Sequence, residues 1–351
     1  MRTQAEDGIG IDHVDFYLPE RSYRPGDYPG ARNPPFSLEM LAGFWKDIWF
    51  EPDLVYRHLT NHQPAQSAIQ PEWTTAEIAN FQQRSGIERV YCAVGETSAD
   101  MAVKVGKQIL AREPDLAKTV DAVIYYHSIL NEAPILSTSC RLQYELGLKN
   151  AFAFSVGQKR GGASLVALKI ACEMMEEEEE AQTLLLIGSE KFVPPYERRI
   201  GTMTIVGDSA SAMLVRRRAS RFRPLGFNIC DYPELIGGGS PGETKPGPLI
   251  EKAAEFFHEA IKNLGLGWER IDLVIPSNIN LSLLRSLGMA LGCPWEKFYI
   301  SNIPRCGYLA SSDMVVNLSS VAGEGRLKSG DLVLAISLGL DHSLGCVLLA
   351  A

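Results

Sequence analysis

Asn150-Ala-Phe-Ala-Phe-Ser-Val-Gly-Gln-Lys-Arg-Gly-Gly-Ala-Ser-Leu-Val-Ala-Leu168 reads as a short apolar strand, Ala151 to Val156, then a tight turn, then a helix. Gly157, Gly161 and Gly162 allow backbone conformations that a Cβ would forbid, and Leu165, Leu168 and Ile170 follow at helical spacing. A strand that breaks sharply into a helix lifts one side chain into a pocket and aims backbone N–H groups at it. Enzymes use this arrangement to hold a nucleophile and an oxyanion. The tip here reads Gln158-Lys159-Arg160, with no cysteine and no serine in the usual place.

The stretches on either side alternate between strand and helix patterns. Upstream, Ile9 to Leu18 alternates apolar and polar residues, Thr74 and Thr75 precede Glu77 as a helix start, Ser98 to Leu110 is helical, and Asp121 to Tyr126 is a buried strand ending in His127-Ser128. Ser137 to Leu146 reads as a helix stopped by Gly147. Downstream come the strands Thr183 to Gly188 and Gly207 to Val215. A second series follows, with strands at Phe222 to Ile229, Ile271 to Ile275, Lys297 to Ile300, Asp331 to Ile336 and Gly345 to Leu349. Its helices are Leu249 to Leu264, Leu281 to Leu291 and Leu309 to Val321.

The two series look like copies of one design. The helix after Gly161 leads into Thr183-Leu-Leu-Leu-Ile-Gly. The helix after Gly307 leads, at nearly the same distance, into Asp331-Leu-Val-Leu-Ala-Ile. The pattern predicts α/β layers with mostly parallel sheets, and a pseudo-twofold axis that brings the turn near Arg160 to the bend near Tyr308. We place the boundary between residues 1–218, with 20–72 as a proline-broken insertion, and residues 219–351. Leu38 to Trp49 within the insertion reads as a short amphipathic helix.

Bulk properties narrow the function. The 351 residues carry a formal net charge of −8 without a basic stripe, which argues against nucleic acid as a partner. No apolar run reaches the roughly 18 residues needed to span a bilayer, and the first residues lack a signal-peptide core. The seven cysteines are scattered and odd in number, which fits reduced thiols in the cytoplasm. His58 and His62 are four apart but lack further ligands, so no metal site is expected. Glu176 to Glu180 reads as a solvated helix end.

Several segments resemble the ketosynthase III group of thiolase-fold condensing enzymes, the β-ketoacyl-[acyl-carrier-protein] synthases III. They are Arg84-Ser-Gly-Ile-Glu-Arg89, Gly95-Glu-Thr-Ser-Ala-Asp-Met-Ala102, Ser137-Thr-Ser-Cys-Arg-Leu-Gln-Tyr-Glu-Leu-Gly147, Gly207-Asp-Ser-Ala-Ser-Ala212 and Arg326-Leu-Lys-Ser-Gly-Asp-Leu-Val-Leu334. The resemblance covers residues 8–18 and 74–351. It implies a thiolase-like α/β fold of two duplicated βαβαβ halves with pseudo-twofold symmetry, layered α-β-α-β-α. It also implies acyl thioesters on CoA or an acyl carrier protein as substrates, the phosphopantetheine arm belonging to the substrate and no separate cofactor being needed. A homodimer, or a heterodimer with an active homologue, is the implied assembly.

The family's Cys-His-Asn triad is not matched. By resemblance its cysteine position falls on Arg160, its histidine on Ser277 in Pro276-Ser-Asn-Ile-Asn280, and its asparagine on Tyr308 in Cys306-Gly-Tyr308. The C-terminal glycine-rich loop reads Gly339-Leu-Asp-His342. Asn280 and Gly307 keep the family pattern. An arginine stays protonated and cannot act as a nucleophile, but it binds carboxylates, phosphates and oxyanions. Arg160, Ser277, Tyr308 and His342 are therefore the candidate reacting or anion-holding residues, with Asn280, Gly307, Gly339 and His127 around the substrate. Three readings follow. The first is an acyltransferase without a covalent cysteine intermediate, in fatty-acid, polyketide or other secondary metabolism. The second is a catalytically inactive subunit paired with an active homologue. The third is a thioester hydrolase using Ser277 or Cys306, for which a relocated Cys306-His342-Asp341 set is one form.

Overall fold

The computed structural model describes residues 8–27, 73–129, 137–157, 159–192, 198–217, 221–233, 246–339 and 343–351, with only the backbone of Arg160 and Pro246. Residues 38–49 and the histidines at 58 and 62 lie outside this set.

Two sheets carry the fold. The first contains β1 (Ile9–Tyr17), β2 (Ala122–His127), β3 (Phe152–Gly157), β4 (Thr183–Glu190) and β5 (Ser209–Arg217), in the order β1-β5-β4-β2-β3. The second contains β6 (Arg223–Asp231), β7 (Leu273–Ile275), β8 (Leu332–Leu338) and β9 (Ser343–Ala350), in the order β6-β9-β8-β7. Set side by side, the two orders match, β6 corresponding to β1, β9 to β5, β8 to β4 and β7 to β2. The expected counterpart of β3, Lys297 to Ile300, is reduced to one parallel bridge between Val274 and Phe298, beside a 3₁₀ turn at Trp295–Lys297.

The expectation of mostly parallel sheets is corrected. The pairs β2–β3, β2–β4 and β7–β8 are parallel, whereas β1–β5, β4–β5, β6–β9 and β8–β9 are antiparallel. A last strand reached by a short connection returns alongside its predecessor, and alternating apolar residues do not encode direction.

Helices α1 (Thr75–Ser85), α2 (Ser98–Leu110), α3 (Thr138–Glu145), α4 (Ala163–Glu177), α5 (Pro246–Asn263), α6 (Leu281–Ala290), α7 (Asn302–Cys306) and α8 (Asp313–Glu324) surround and separate the sheets. Capping boxes start α1 and α2. Thr74 Oγ1 accepts from Glu77 N–H while Glu77 Oε2 accepts from Thr74 N–H, and Thr97 and Asp100 repeat the exchange.

Leu165, Leu168 and Met175 of α4 and Val315, Leu318 and Val321 of α8 form one core with Ile124 and Leu186 of the first sheet and Ile275 and Val333 of the second. The opposite face of the first sheet packs against α2 and α3 through Met101, Ile109 and Leu142. The opposite face of the second packs against α5 and α6 through Phe257, Leu283 and Leu287. The layering is α-β-α-β-α, with α4 and α8 in the middle.

The central strands β2 and β4 are buried along their whole length, as near-continuous apolar runs require. Among the described residues the apolar strand β3 lies at the edge of its sheet, with Phe152 65% exposed. The acidic run at the end of α4 is exposed. Arg217 opposes its charge by donating to the carbonyls of Met175 and Glu178 at the helix end, where carbonyls lack intrahelical partners, and to that of Ala181 just beyond it. Among the described residues no helix is long and apolar enough to cross a membrane.

Candidate functional site

The turn after β3 is a single 3₁₀ turn, Arg160–Gly162, closed by Gly162 N–H donating to the Lys159 carbonyl at 2.7 Å. It opens directly into α4, so the first amides of the central helix sit at the turn. In the second half, α7 ends at Gly307, and a 3₁₀ turn at Ala310–Ser312 leads into α8, which begins four residues later than the sequence pattern suggested. Gly307 has φ +65° and ψ −157°, a region only glycine occupies freely, and a Cβ there would stand 3.1 Å from the Arg89 carbonyl. Ala310 is held at φ +51°, a strained conformation for a residue with a side chain.

The two bends meet. A Cβ on Gly161 would lie 3.1 Å from the Tyr308 hydroxyl, 3.4 Å from Ser337 Oγ and 3.5 Å from the Leu338 carbonyl. Tyr308 is 1% exposed, and its carbonyl accepts from Gly207 N–H at 2.9 Å, tying the second-half bend to the start of β5. Ser337 Oγ and Ser164 Oγ, one at the end of β8 and one just beyond the glycine turn, are buried without a hydrogen-bond partner among the described residues. Neither was selected from the sequence. A serine at the end of an apolar strand carries no signal until its neighbours are known.

The other expected residues divide. Ser277 is buried at the end of β7, and its Oγ accepts from Leu338 N–H at 3.2 Å, bracing the strand that carries Ser337. Asn280 caps α6 by accepting from Leu283 N–H at 3.1 Å, and its amide donates to the Met203 carbonyl at 2.7 Å. Gly339 is buried and donates to the Ser343 carbonyl at 2.7 Å, closing the hairpin between β8 and β9. His127 ends β2 beside Gly157, stacks on Tyr125, and hydrogen-bonds through Nδ1 to the Ile129 carbonyl at 2.9 Å. That bond makes Nδ1 the protonated nitrogen of the neutral ring, and burial holds the imidazole below its ordinary range. Nε2 faces Gly157, where the turn begins. The Arg160 side chain and all of His342 and Asp341 lie outside the described groups.

A buried polar frame supports this junction. Glu190, at the end of the apolar strand β4, accepts through Oε1 from Ser128 N–H at 2.9 Å, Ser128 Oγ–H at 2.7 Å and Ser311 Oγ–H. Asp313 accepts from Leu309 N–H at 2.9 Å and Asn278 N–H at 2.8 Å. Burial pushes the Glu190 carboxyl up to about 7 and that of Asp313 up to about 8. Asn317 joins the Asn278 and Asn302 side chains to the Pro276 carbonyl.

Cys306 is 4% exposed, and burial pushes its thiol up to about 11, far from a reactive thiolate. All seven cysteines are free. Away from the junction, Asp12, His13 and Glu113 converge in a group with metal-like spacing. The Arg216 guanidinium, bonded to Asp12 and Glu113, occupies it as an ion-pair network.

Comparison with known proteins gives one family. Residues 158–232 match the profile of 3-oxoacyl-[acyl-carrier-protein] synthase III, and residues 261–351 match the C-terminal profile of the same family. The β-ketoacyl-[acyl-carrier-protein] synthase III of Aquifex aeolicus is 28% identical over 289 residues, covering 79% of this chain and 90% of that one. The enzyme of the same name from Rhodobacter capsulatus is 28% identical over 293 residues, covering 77% and 89%. The crystal structure of the Aquifex aeolicus enzyme superposes with a TM-score of 0.73 at 24% identity over 98% of this chain and all of that one. ChlB3, an acyltransferase, superposes with a TM-score of 0.75 at 17% identity over 98% of each chain.

Proposed function

Because the chain belongs to the ketosynthase III family, we propose that it handles acyl thioesters, carried on CoA or an acyl carrier protein, by direct acyl transfer without an enzyme-bound thioester. The observation behind this reading is the meeting of Gly161 with the Tyr308 and Ser337 hydroxyls. A junction that had only lost its chemistry would favour apolar filling at Ser337, whose buried hydroxyl has no hydrogen-bond partner among the described residues, an arrangement that costs about 1–3 kcal/mol. In this reading Arg160 and the first amides of α4 hold the thioester oxygen while an acceptor nucleophile adds to the carbonyl carbon. The C–S bond then breaks and the carrier thiol leaves with the acceptor's proton. Ser277, Asn280, Gly307 and Gly339 shape the walls, and His127 and His342 border the acyl group. The boundary between the halves falls at residues 218 and 219, the site lies between them, and the protein works in the cytoplasm.

The test is CoA release from octanoyl-CoA in the presence of amine, hydroxyl and carrier-protein thiol acceptors. Arg160→Ala should abolish release while the protein stays folded. Unchanged turnover would remove Arg160 from the mechanism.

A second reading, a non-catalytic subunit that pairs with an active homologue, is favoured by the depth of Tyr308, whose ring fills space at the junction. It predicts no release by the isolated chain and stable association with a cysteine-containing homologue. The hydrolase reading has less behind it, because Ser277 Oγ is engaged by a backbone amide and the Cys306 thiol is kept un-ionised. In either remaining reading the free edge of β3 is the surface for dimer formation.

A further inference from the structure

Glu190 and Asp313 are both fully or almost fully buried, at 0% and 1% exposed, and no cation among the described residues is hydrogen-bonded to either. Glu190 Oε2 has no partner at all among the described residues. The two carboxyls bracket the bend that carries Tyr308. Glu190 reaches it from the first sheet through Ser311, and Asp313 closes it from the start of α8 through Leu309 N–H. Through Ser128 the same Glu190 oxygen holds the end of β2, next to His127. Three pieces of the junction therefore converge on two acids.

We propose that Glu190 and Asp313 form a proton-retaining positioning pair that locks the Gly307–Asp313 bend, and with it Tyr308, against the first half, and that ionisation of both loosens the lock. Two buried carboxylates with no counter-cation among the described residues repel each other and forfeit hydration, so the closed bend is favoured while a proton remains. The charge of Glu190 adds to the burial that raises Asp313. Among the described residues, the other titratable groups facing the pair do not supply positive charge. Tyr126 on β2 is bonded to Ser211 and kept un-ionised by burial, Cys306 at the end of α7 is a neutral thiol, and burial of neighbouring His127 disfavours its charged form.

The sign follows from linkage. Both acids titrate higher in the closed bend than in an opened one, so closure is strongest below about pH 4, where both forms are protonated. It weakens as pH rises through the ordinary carboxylate range and levels off above about 8, where both are ionised in either state.

The consequence for acyl transfer rests on the function proposed above, but the lock itself is read without substrate. Hydrogen exchange by mass spectrometry on the full-length protein, with labelling times scaled to the intrinsic rates, is followed for peptides spanning 307–313 at pH 5.5 and pH 8.5. We expect wild-type protection of these amides to fall at least tenfold between the two, and Glu190→Gln, which keeps an acceptor and cannot ionise, to lose markedly less. Asp313→Asn should flatten the profile in the same way. Equal wild-type protection at both pH values overturns the proposal whether or not either variant folds. So does a Glu190→Gln profile that follows the wild type. Octanoyl-CoA turnover measured alongside separates the two claims, since a pH-dependent lock with no turnover removes the proposed reaction and leaves the lock standing.

Discussion

Gly161 and Tyr308 belong to different halves of the chain, yet a single carbon added to the first would stand 3.1 Å from the hydroxyl of the second. The distance ties the glycine turn that opens α4 to the bend that opens α8. It also makes Gly161 a position where size, not backbone freedom, decides the residue. Gly161→Ala should destabilise the protein by about 1–3 kcal/mol, because a contact this tight requires the buried phenol to shift. Tyr308→Phe in the same chain should recover most of the loss, a coupling that urea unfolding of the four proteins in a double-mutant cycle would measure. Additive effects would mean that the two bends do not press on each other.

Asp208 anchors the loop ahead of β5. Its buried carboxylate accepts from Ala93 N–H at 2.7 Å, Phe192 N–H at 2.8 Å and both terminal nitrogens of Arg198 at 2.7 Å. Removing it deprives two backbone amides of their acceptor and the Arg198 guanidinium of its carboxylate. Asp208→Ala should cost about 3–5 kcal/mol in urea unfolding and Asp208→Asn clearly less, since the amide oxygen still accepts. Equal losses for the two would show that charge and hydrogen bonding matter less than the cavity.

Among the described residues the outer side of β3 pairs with no strand, and it carries the exposed ring of Phe152, packed on Phe154 at 5.6 Å between centroids. Such an edge invites pairing with another chain. If the proposed dimer forms through this edge, the wild type should run as a dimer and Phe152→Glu as a monomer in light scattering behind size exclusion, with unchanged circular dichroism. A variant that stays dimeric would move the interface elsewhere.

The global melting temperature carries the pH dependence of the two buried acids. Their stabilisation is complete below the ordinary carboxylate range and declines as pH rises toward about 7 for Glu190 and about 8 for Asp313. Between pH 5 and 8 the melting temperature of Glu190→Gln should therefore fall less than that of the wild type in calorimetry. Parallel curves would mean that the glutamate ionises as freely in the folded state as in the unfolded one.

Most of the architecture was legible because long periodic segments repeat. The end points of α2 and the capping box at Thr74 follow from residue types alone, and the similarity of the segments around Gly161 and Gly307 disclosed the two halves. Strand direction was not legible, since alternation is the same in parallel and antiparallel pairs. The edge position of β3 was hidden for a related reason: Phe152 and Phe154 look like core residues until the sheet order is known.

At the site, Tyr308 was identified by its place after Gly307, and its contact with the first-half turn followed from the duplication. Ser277 and Asn280, expected as site residues from the sequence, have side chains engaged by backbone groups. Glu190 was missed although Thr183-Leu-Leu-Leu-Ile-Gly-Ser-Glu190 displays it. A carboxylate ending an apolar strand looks solvent-exposed, and only the packed structure puts Ser128 and Ser311 around it.

The proposed chemistry turns on the absence of an acyl-enzyme. Incubating the protein with octanoyl-CoA and recording its intact mass beside a calorimetric titration tests this directly. The proposal predicts saturable binding with an unshifted mass. A protein heavier by one octanoyl group, with the label removed by hydroxylamine, would contradict it, as would a complete failure to bind.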